Sequence, residues 1–270
     1  MGNGIAHSFA QHGFDVSLID TNPEALERAL ATIDLNVDRQ IKKEVLKPED
    51  KEQIRKRITT FTDLNQGVSH ADFVVEAATE NESIKLNLFR ELDRFCPPHT
   101  VLATNTSSIS ITKIASVTQR ADRVIGMHFM NPVPVMKLVE VVKGYSTSIK
   151  TTHSVIKLSE QLDKIPVEVS DYPGFVANRI LMPMINEAIH ALHEGVADRE
   201  AIDAVMKLGM AHPMGPLELA DFIGLDVCLS ILRVLHDGFG HPKYAPCPLL
   251  VNMVTAGKLG KKTGQGFYTY

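Results

Sequence analysis

The sequence is poor in cysteine, and this scarcity argues against two kinds of site. Cys96, Cys228 and Cys247 are its only cysteines in 270 residues, an odd number without any C-x-x-C pair. A disulfide framework needs paired cysteines, and a zinc site of the common kind needs closely spaced ones. We therefore expect reduced thiols, a cytoplasmic location and no bound metal.

Long apolar runs and blocks of one charge are also missing. No stretch reaches the roughly 20 apolar residues that span a bilayer, and the first residues lack the basic start and hydrophobic stretch of a signal peptide. The net charge is −4, and the lysines and arginines are scattered along the chain. This distribution argues against nucleic acid and acidic membranes as partners. The composition is typical of an intracellular globular protein.

Strand and helix patterns alternate over the first 170 residues. The strand segments are mostly short, apolar and β-branched, as expected where helices cover both faces of a sheet. The stretches between them, notably 23–45 and 81–95, have a helical pattern, so the economical prediction is a parallel α/β sheet. The predicted strands are 14–20, 58–61, 72–77, 100–105, 123–129, 137–142 and 166–170.

The pattern changes after the segment DYPGF (171–175). No strand alternation returns, and the remaining apolar segments have helical spacing. The sequence therefore predicts two domains, an α/β domain over 1–170 and an all-α domain over 171–270. The predicted helices of the second domain are 177–197, 199–210, 216–239 and 248–260.

The first twenty residues have the pattern of the second half of a dinucleotide-binding βαβ unit. A helical run leads into FDVSLID, which closes on Asp20, an acid placed to bind an adenosine ribose. Gly2 and Gly4 could be the first pair of G-x-G-x-x-G, which puts His7 at the third position. Alternatively, Gly2 is the third glycine, at the pyrophosphate, and the rest of the motif precedes Met1. Only this second register leaves a complete helix before Asp20.

We therefore expect that a strand and the start of the glycine-rich turn, about 10–13 residues, are missing from the start of the chain. The plainer alternative is that Gly2 begins an ordinary amphipathic helix. An in-frame strand followed by G-x-G, encoded upstream of Met1, would distinguish the two.

A second informative segment is GMHFMNPVPVMKLVEVV (126–142). His128 and Glu140 are equidistant from Pro134, so they face each other if the strand 137–142 folds back antiparallel on 123–129. A carboxylate on one imidazole nitrogen fixes the tautomer and leaves the other nitrogen to transfer a proton. A lone histidine is more often structural. A glutamate within an apolar strand needs a partner, however, and this favours the catalytic interpretation.

Polar residues also follow two other predicted strands. VVEAATEN (74–81) closes one strand with Glu76, and NTSSIS (105–110) closes the next. In an open α/β sheet, ligand-binding groups collect beyond the carboxyl ends of the strands. These residues and His128 are therefore predicted to share one crevice.

Six segments, in this order and spacing, resemble the 3-hydroxyacyl-CoA dehydrogenase family over essentially the whole chain. The resemblance implies a Rossmann-type doubly wound sheet, here without its first strand, followed by an all-α domain that forms a homodimer. It also implies NAD as cofactor and acyl-CoA as substrate. The implied reaction interconverts (S)-3-hydroxyacyl-CoA, with 3-hydroxybutanoyl-CoA expected, and 3-ketoacyl-CoA. The segments are VVEAATEN, NTSSISIT, MHFMNPVPVMKLVEVV, DYPGFVANRI, AHPMGPLELADFIGLD and GKKTGQGFYTY.

The family's roles can be carried to matching positions. The general base falls on His128, its carboxylate partner on Glu140, and the ligands of the substrate oxygen on Ser107 and Asn178. The family's CoA-tail region matches Lys43, with Asn36 two turns before it, although a solvated surface lysine is an equal alternative there. The predicted cofactor-binding residues are Gly2, Asp20, Glu80, Lys85 and Asn131.

The type of cofactor follows from the acid that closes the second strand of the motif. Asp20 would repel a 2′-phosphate, and Thr21 and Asn22 add no positive charge beside it, so NAD is expected rather than NADP.

Two other functions remain open on the sequence. One is a non-catalytic scaffold that keeps the helical dimer but binds NAD poorly. The other is a related hydroxyacid dehydrogenase that does not use CoA. The presence of His128, Glu140, Ser107 and Asn178 together favours an active enzyme over the scaffold, because degeneration would be expected to erode them.

Overall fold

The computed structural model describes all residues, 1–270, and divides into two compact units, Met1–Asp171 and Tyr172–Tyr270. The first unit alternates helix and strand, and the second is helical. The elements of the first unit are α1 (Gly2–Gln11), β1 (Val16–Ile19), α2 (Pro23–Lys42), α3 (Asp50–Lys56), β2 (Ile58–Phe61), α4 (Leu64–Val68), β3 (Phe73–Glu76), α5 (Glu82–Phe95), β4 (Val101–Thr104), α6 (Ile111–Ala115), β5 (Val124–Phe129), β6 (Leu138–Lys143), α7 (Ile149–Gln161) and β7 (Ile165–Ser170).

The seven predicted strands are all present, and they form two sheets. β1 pairs in parallel with β2, while the other five strands form a sheet in the order β3-β4-β5-β6-β7. The pairs β3–β4, β4–β5 and β6–β7 are parallel, and only β5–β6 is antiparallel. The predicted α/β class is confirmed. β1 and β3 do not pair with each other, so each has one edge without a neighbouring strand.

The core of the first unit lies between the five-stranded sheet and its helices. Ile125 and Met127 on β5, Val141 on β6 and Val155 on α7 are fully buried in one cluster. Burying such aliphatic side chains contributes roughly 1.5–3 kcal/mol each. This packing makes β5 and β6 the rigid centre of the unit.

Capping residues set the helix boundaries. Asn22 accepts a hydrogen bond from Glu24 N, with Pro23 at the first helical position of α2. Asn81 caps α5 in the same way, which leaves Glu80 outside the helix, in the loop after β3. The predicted helix 23–45 is three residues too long, because Glu44 adopts a left-handed backbone conformation (φ 57°).

The second unit contains five α-helices. Leucine and isoleucine side chains from several of them form one buried core that includes Ile185, Leu217, Leu232 and Leu235. The elements are α8 (Ala177–His193), α9 (Arg199–Gly209), α10 (Pro216–Ile223), α11 (Leu225–Phe239) and α12 (Pro248–Thr255).

The prediction of a single helix over 216–239 is wrong. Gly224 has φ 105°, a conformation that L side chains rarely adopt, and it separates α10 from α11. The predicted helix 248–260 likewise ends at Thr255, before Gly257 at φ 74°. Helical spacing of apolar residues alone did not reveal these breaks.

The C-terminal segment is held on the helices by buried Asp221. Its carboxylate accepts hydrogen bonds from Phe267 N (2.9 Å), Tyr268 N (2.8 Å) and the Tyr270 hydroxyl (3.3 Å). A Cβ on Gly266 would overlap this carboxylate, so glycine is required there. Burial raises the pKa of Asp221, while the three donors oppose that shift. The motif GKKTGQGFYTY therefore has a structural role.

None of the helices is both long enough and apolar enough to cross a bilayer.

Candidate active site

His128 and Glu140 form a buried pair at the centre of the five-stranded sheet. They lie directly opposite each other in the antiparallel pair β5–β6. The distance from His128 Nδ1 to Glu140 Oε2 is 2.8 Å. This confirms the pairing predicted from their spacing about Pro134.

The environment of this pair determines which nitrogen can take part in proton transfer. Glu140 is 2% exposed, between Val139 and Val141, which are fully buried. An ionised carboxylate only accepts hydrogen bonds, so the neutral ring carries its proton on Nδ1 and donates it to Glu140. His128 Nε2 is therefore the atom that can exchange a proton with a substrate.

A second buried ion pair lies at the ends of β3 and β4. Lys85 Nζ on α5 is 2.5 Å from Glu76 Oε2, and both side chains are 2% exposed. Glu76 also accepts hydrogen bonds from the Thr104 hydroxyl and from Ala78 N, each at 2.7 Å. All three donors converge on one carboxylate, which joins α5 to the carboxyl ends of the two strands.

The loop 105–110 carries Ser107 and is anchored at its middle by Glu80. One Glu80 oxygen accepts hydrogen bonds from Ser107 N (2.8 Å) and the Ser107 hydroxyl (3.1 Å). The other accepts from the Thr106 hydroxyl at 2.7 Å. Glu80 itself is exposed and Ser107 is partly exposed.

The two ends of this loop are fixed as well. Asn105 N donates to Glu76 O, and Asn105 Oδ1 accepts from Phe129 N at 2.9 Å, next to His128. At the other end, Asp171 accepts from the Ser110 hydroxyl and from two backbone amides of α6. The start of the loop is thus fixed to the strand that carries the histidine.

The N-terminal end of α1 lies beside these strand ends. A Cβ on Gly2, the first residue of α1, would be 4.0 Å from Ala77 Cβ, just after β3. A Cβ on Gly4 would be 3.1 Å from Val133 Cβ, in the connection between β5 and β6. Helix N-termini bind phosphate well. Here the N-terminal end of α1 lies next to the carboxyl end of β3. This arrangement fits the pyrophosphate of a dinucleotide.

The other predicted cofactor residues lie at a strand end, in a connection and on a helix of the first unit. Asp20 follows β1, is exposed, and accepts a hydrogen bond from Asn22 N at 2.9 Å. Asn131 is exposed in the connection after β5, before a cis peptide bond to Pro132. Lys85, by contrast, is buried against Glu76, which favours an indirect role in cofactor binding.

Asn178 belongs to the second unit, at the second position of α8. The turn before it has two consecutive residues in the left-handed region, Gly174 (φ 73°) and Phe175 (φ 49°). A Cβ on Gly174 would be 2.6 Å from Leu235 Cδ2, so this turn packs closely on α11. Non-glycine residues in this conformation are uncommon and often occur near functional positions.

Lys43, the predicted contact of the CoA tail, is exposed at the C-terminal end of α2. Asn36, two turns earlier on the same helix, accepts a hydrogen bond from Arg39. The role of Lys43 stays a prediction.

Sequence reasoning missed several contacts that organise this site. It noted Glu76 but not its ion pair with Lys85, and it placed Glu80 in the crevice without its contacts to Ser107. It also missed Asp171 as the anchor of α6. The sequence did contain one indication of the ion pair. Glu76 ends an apolar strand, and a charged residue buried there needs a partner of opposite charge.

The chain matches known proteins over its whole length. Residues 1–172 match the family model described as 3-hydroxyacyl-CoA dehydrogenase, NAD binding domain, and residues 174–270 match 3-hydroxyacyl-CoA dehydrogenase, C-terminal domain. The chain is 57% identical over 270 residues to a probable 3-hydroxybutyryl-CoA dehydrogenase of Bacillus subtilis (strain 168), covering 100% of this chain and 94% of that protein. It is 45% identical to the mitochondrial hydroxyacyl-coenzyme A dehydrogenase of Homo sapiens, covering 100% and 88%.

A solved structure gives the same result. The crystal structure of (S)-3-hydroxybutyryl-CoA dehydrogenase from Ralstonia eutropha superposes with a TM-score of 0.97 at 50% identity. The match covers 100% of this chain and 95% of that one.

Proposed function

Because this chain belongs to the 3-hydroxyacyl-CoA dehydrogenase family and is an NAD-dependent enzyme of that type, we propose that its substrate is (S)-3-hydroxybutanoyl-CoA and its catalytic base is His128. Relatives named as 3-hydroxybutyryl-CoA dehydrogenases support the substrate. The observation that supports the base is its buried pairing with Glu140 across β5 and β6. The names of these relatives do not favour a non-catalytic scaffold or an enzyme that does not use CoA.

The proposed reaction transfers one proton and one hydride. In the oxidative direction, His128 Nε2 takes the proton of the 3-hydroxyl group while the hydride leaves C3 and the C–O bond becomes a carbonyl. NAD, when bound, supplies the hydride acceptor. His128 keeps its Nδ1 proton in a hydrogen bond to Glu140, whose negative charge stabilises the imidazolium that forms. Ser107 and Asn178 hold the substrate oxygen as its charge changes.

The cofactor is held by residues of the first unit in this proposal. The backbone at Gly2 binds the pyrophosphate, Asp20 accepts from the ribose hydroxyls, and Glu80 and Asn131 line the nicotinamide side. Lys85 does not contact the cofactor in this proposal. It supports the site indirectly, through its buried ion pair with Glu76.

Lys43 is the proposed contact of the CoA tail. A cytoplasmic location is part of the same proposal.

A homodimer through the helical unit is also proposed. Large apolar side chains are exposed on several of its helices, and the most exposed is Leu208 at 87%. Contiguous exposed apolar surface is typical of protein interfaces. On α8, Ile180 is exposed, whereas Ile185 is buried in the unit's own core. Light scattering at micromolar concentration should give twice the chain mass, and a monomer would contradict the dimer.

His128→Gln tests the catalytic assignment. Gln cannot act as a base, so we expect kcat to fall by ~10²–10⁴ while the Kd for NADH stays near the wild-type value. His153→Gln is the matched control, because His153 is an exposed histidine on α7. Wild-type turnover in a folded His128→Gln variant would refute the assignment.

A further inference from the structure

We propose that Glu80 is a positioning residue for Ser107, so that it acts on the substrate site as well as on the cofactor crevice. The inference rests on the proposed function, in which Ser107 binds the substrate oxygen. Glu80 accepts hydrogen bonds from both the amide and the hydroxyl of Ser107 through one carboxylate oxygen. Two donors of one residue on one acceptor fix the backbone and the side chain of Ser107 together.

The Glu80 carboxylate holds the middle of the loop with three hydrogen bonds. Asn105 fixes its start against Phe129 N, and Asp171 fixes its end at α6. Thr106 links Glu80 to the rest of the loop, because its hydroxyl donates to Glu80 and accepts from Ile109 N at 3.0 Å. Loss of the Glu80 carboxylate therefore removes three hydrogen bonds from the part of the loop that carries Ser107.

The placement of Glu80 makes its effect measurable without unfolding the protein. Its side chain is exposed in the loop after β3, outside the buried cluster of Glu76 and Lys85. Replacement by glutamine keeps the size but turns one acceptor oxygen into an NH₂ donor. One of the two sets of contacts, to Thr106 or to Ser107, then has a donor facing a donor.

A double-mutant cycle separates positioning from direct cofactor contact. The variants are Glu80→Gln, Ser107→Ala and the double variant, each assayed for kcat, KM for acetoacetyl-CoA and Kd for NADH. We expect Glu80→Gln alone to lower kcat by roughly 10- to 100-fold, the scale of misplacing a reacting group. In the Ser107→Ala background the same change should lower kcat by less than about twofold, because its target is gone.

Glu82→Gln is the matched control. It makes the same chemical change two residues away, where the carboxylate pairs with exposed Lys113, and kcat should stay at the wild-type value. Independent, multiplying losses in the Glu80→Gln and Ser107→Ala cycle would overturn the inference while leaving the proposed function intact. So would a Glu80→Gln variant whose only defect is weaker NADH binding. If Ser107→Ala alone retains full turnover, the proposed role of Ser107 fails and the inference fails with it.

Discussion

Lys85→Met is predicted to destabilise the first unit strongly. The change removes an ammonium group that is 2.5 Å from Glu76 Oε2, at a site where both side chains are 2% exposed. Methionine keeps most of the aliphatic stem, so the packing of α5 changes little. Glu76 is then left as a buried carboxylate that accepts hydrogen bonds from the neutral Thr104 hydroxyl and Ala78 N.

The magnitude follows from the burial of this pair. Removing one partner of a buried ion pair typically costs about 3–5 kcal/mol, because the remaining charge is uncompensated. In a unit of this size each kcal/mol lowers Tm by roughly 2–4 °C, so a loss of about 10 °C is expected. Adding Glu76→Gln removes the stranded charge. The glutamine oxygen can accept from Ala78 N, and its NH₂ group can donate to the Thr104 hydroxyl. The double variant should therefore be more stable than Lys85→Met alone.

The assay is reversible urea denaturation combined with thermal melting, with and without NADH. Lys113→Met is the matched control, because its pair with Glu82 has side chains about half exposed. Such pairs contribute about 0–1 kcal/mol. The reasoning is refuted if Lys85→Met is as stable as this control, or if Glu76→Gln fails to restore stability in its background.

Two further predictions concern the C-terminal segment on Asp221. Gly266→Ala should destabilise the helical unit by roughly 1–3 kcal/mol, because its Cβ would overlap the Asp221 carboxylate. An unchanged melting curve would contradict this packing, and Gly209→Ala is the control, because it lies in open space and, like Gly266, has no positive φ. Burial raises the pKa of Asp221 above its ordinary 3.8, so its contribution is fully present below about pH 4 and is lost as pH rises through the raised value. As the pH rises from 4 to 7, the free energy of unfolding of the wild type should therefore fall relative to that of Asp221→Asn. A difference between the two proteins that stays constant over this range would refute the raised pKa of Asp221.

The register of His128 and Glu140 could be predicted because the strand periodicity fixes it. Side chains alternate between the faces of a sheet, so a slip of one residue would move Glu140 to the opposite face. The equal spacing of both residues from Pro134 therefore specified a cross-strand pair directly, and the structure confirms it. The strand positions were predictable for another reason, because the segments are short, mostly apolar and β-branched.

The contacts of Glu80 and Glu76 could not be predicted, because they join the ends of two neighbouring strands, and the loops after them, that are far apart in the chain. Glu80 and Ser107 are 27 residues apart in the chain, and Glu76 and Thr104 are 28 apart. No local pattern encodes such a contact, which depends on how β3 and β4 align. The break at Gly224 was missed for a different reason. The apolar residues keep helical spacing through this position, whereas the backbone leaves the helical conformation at Gly224.

These two kinds of contact hold the proposed catalytic groups in different ways. His128 and Glu140 lie on adjacent strands at the core of the sheet, where backbone pairing fixes their distance. Ser107 lies on a loop, where hydrogen bonds to carboxylates replace that backbone pairing. Removal of the Glu80 carboxylate is therefore expected to disturb the orientation of Ser107 alone. Disruption of β5 or β6 would instead separate His128 from Glu140. The proposed proton transfer therefore depends on the stability of the sheet, and the proposed orientation of the substrate oxygen depends on the exposed carboxylate of Glu80.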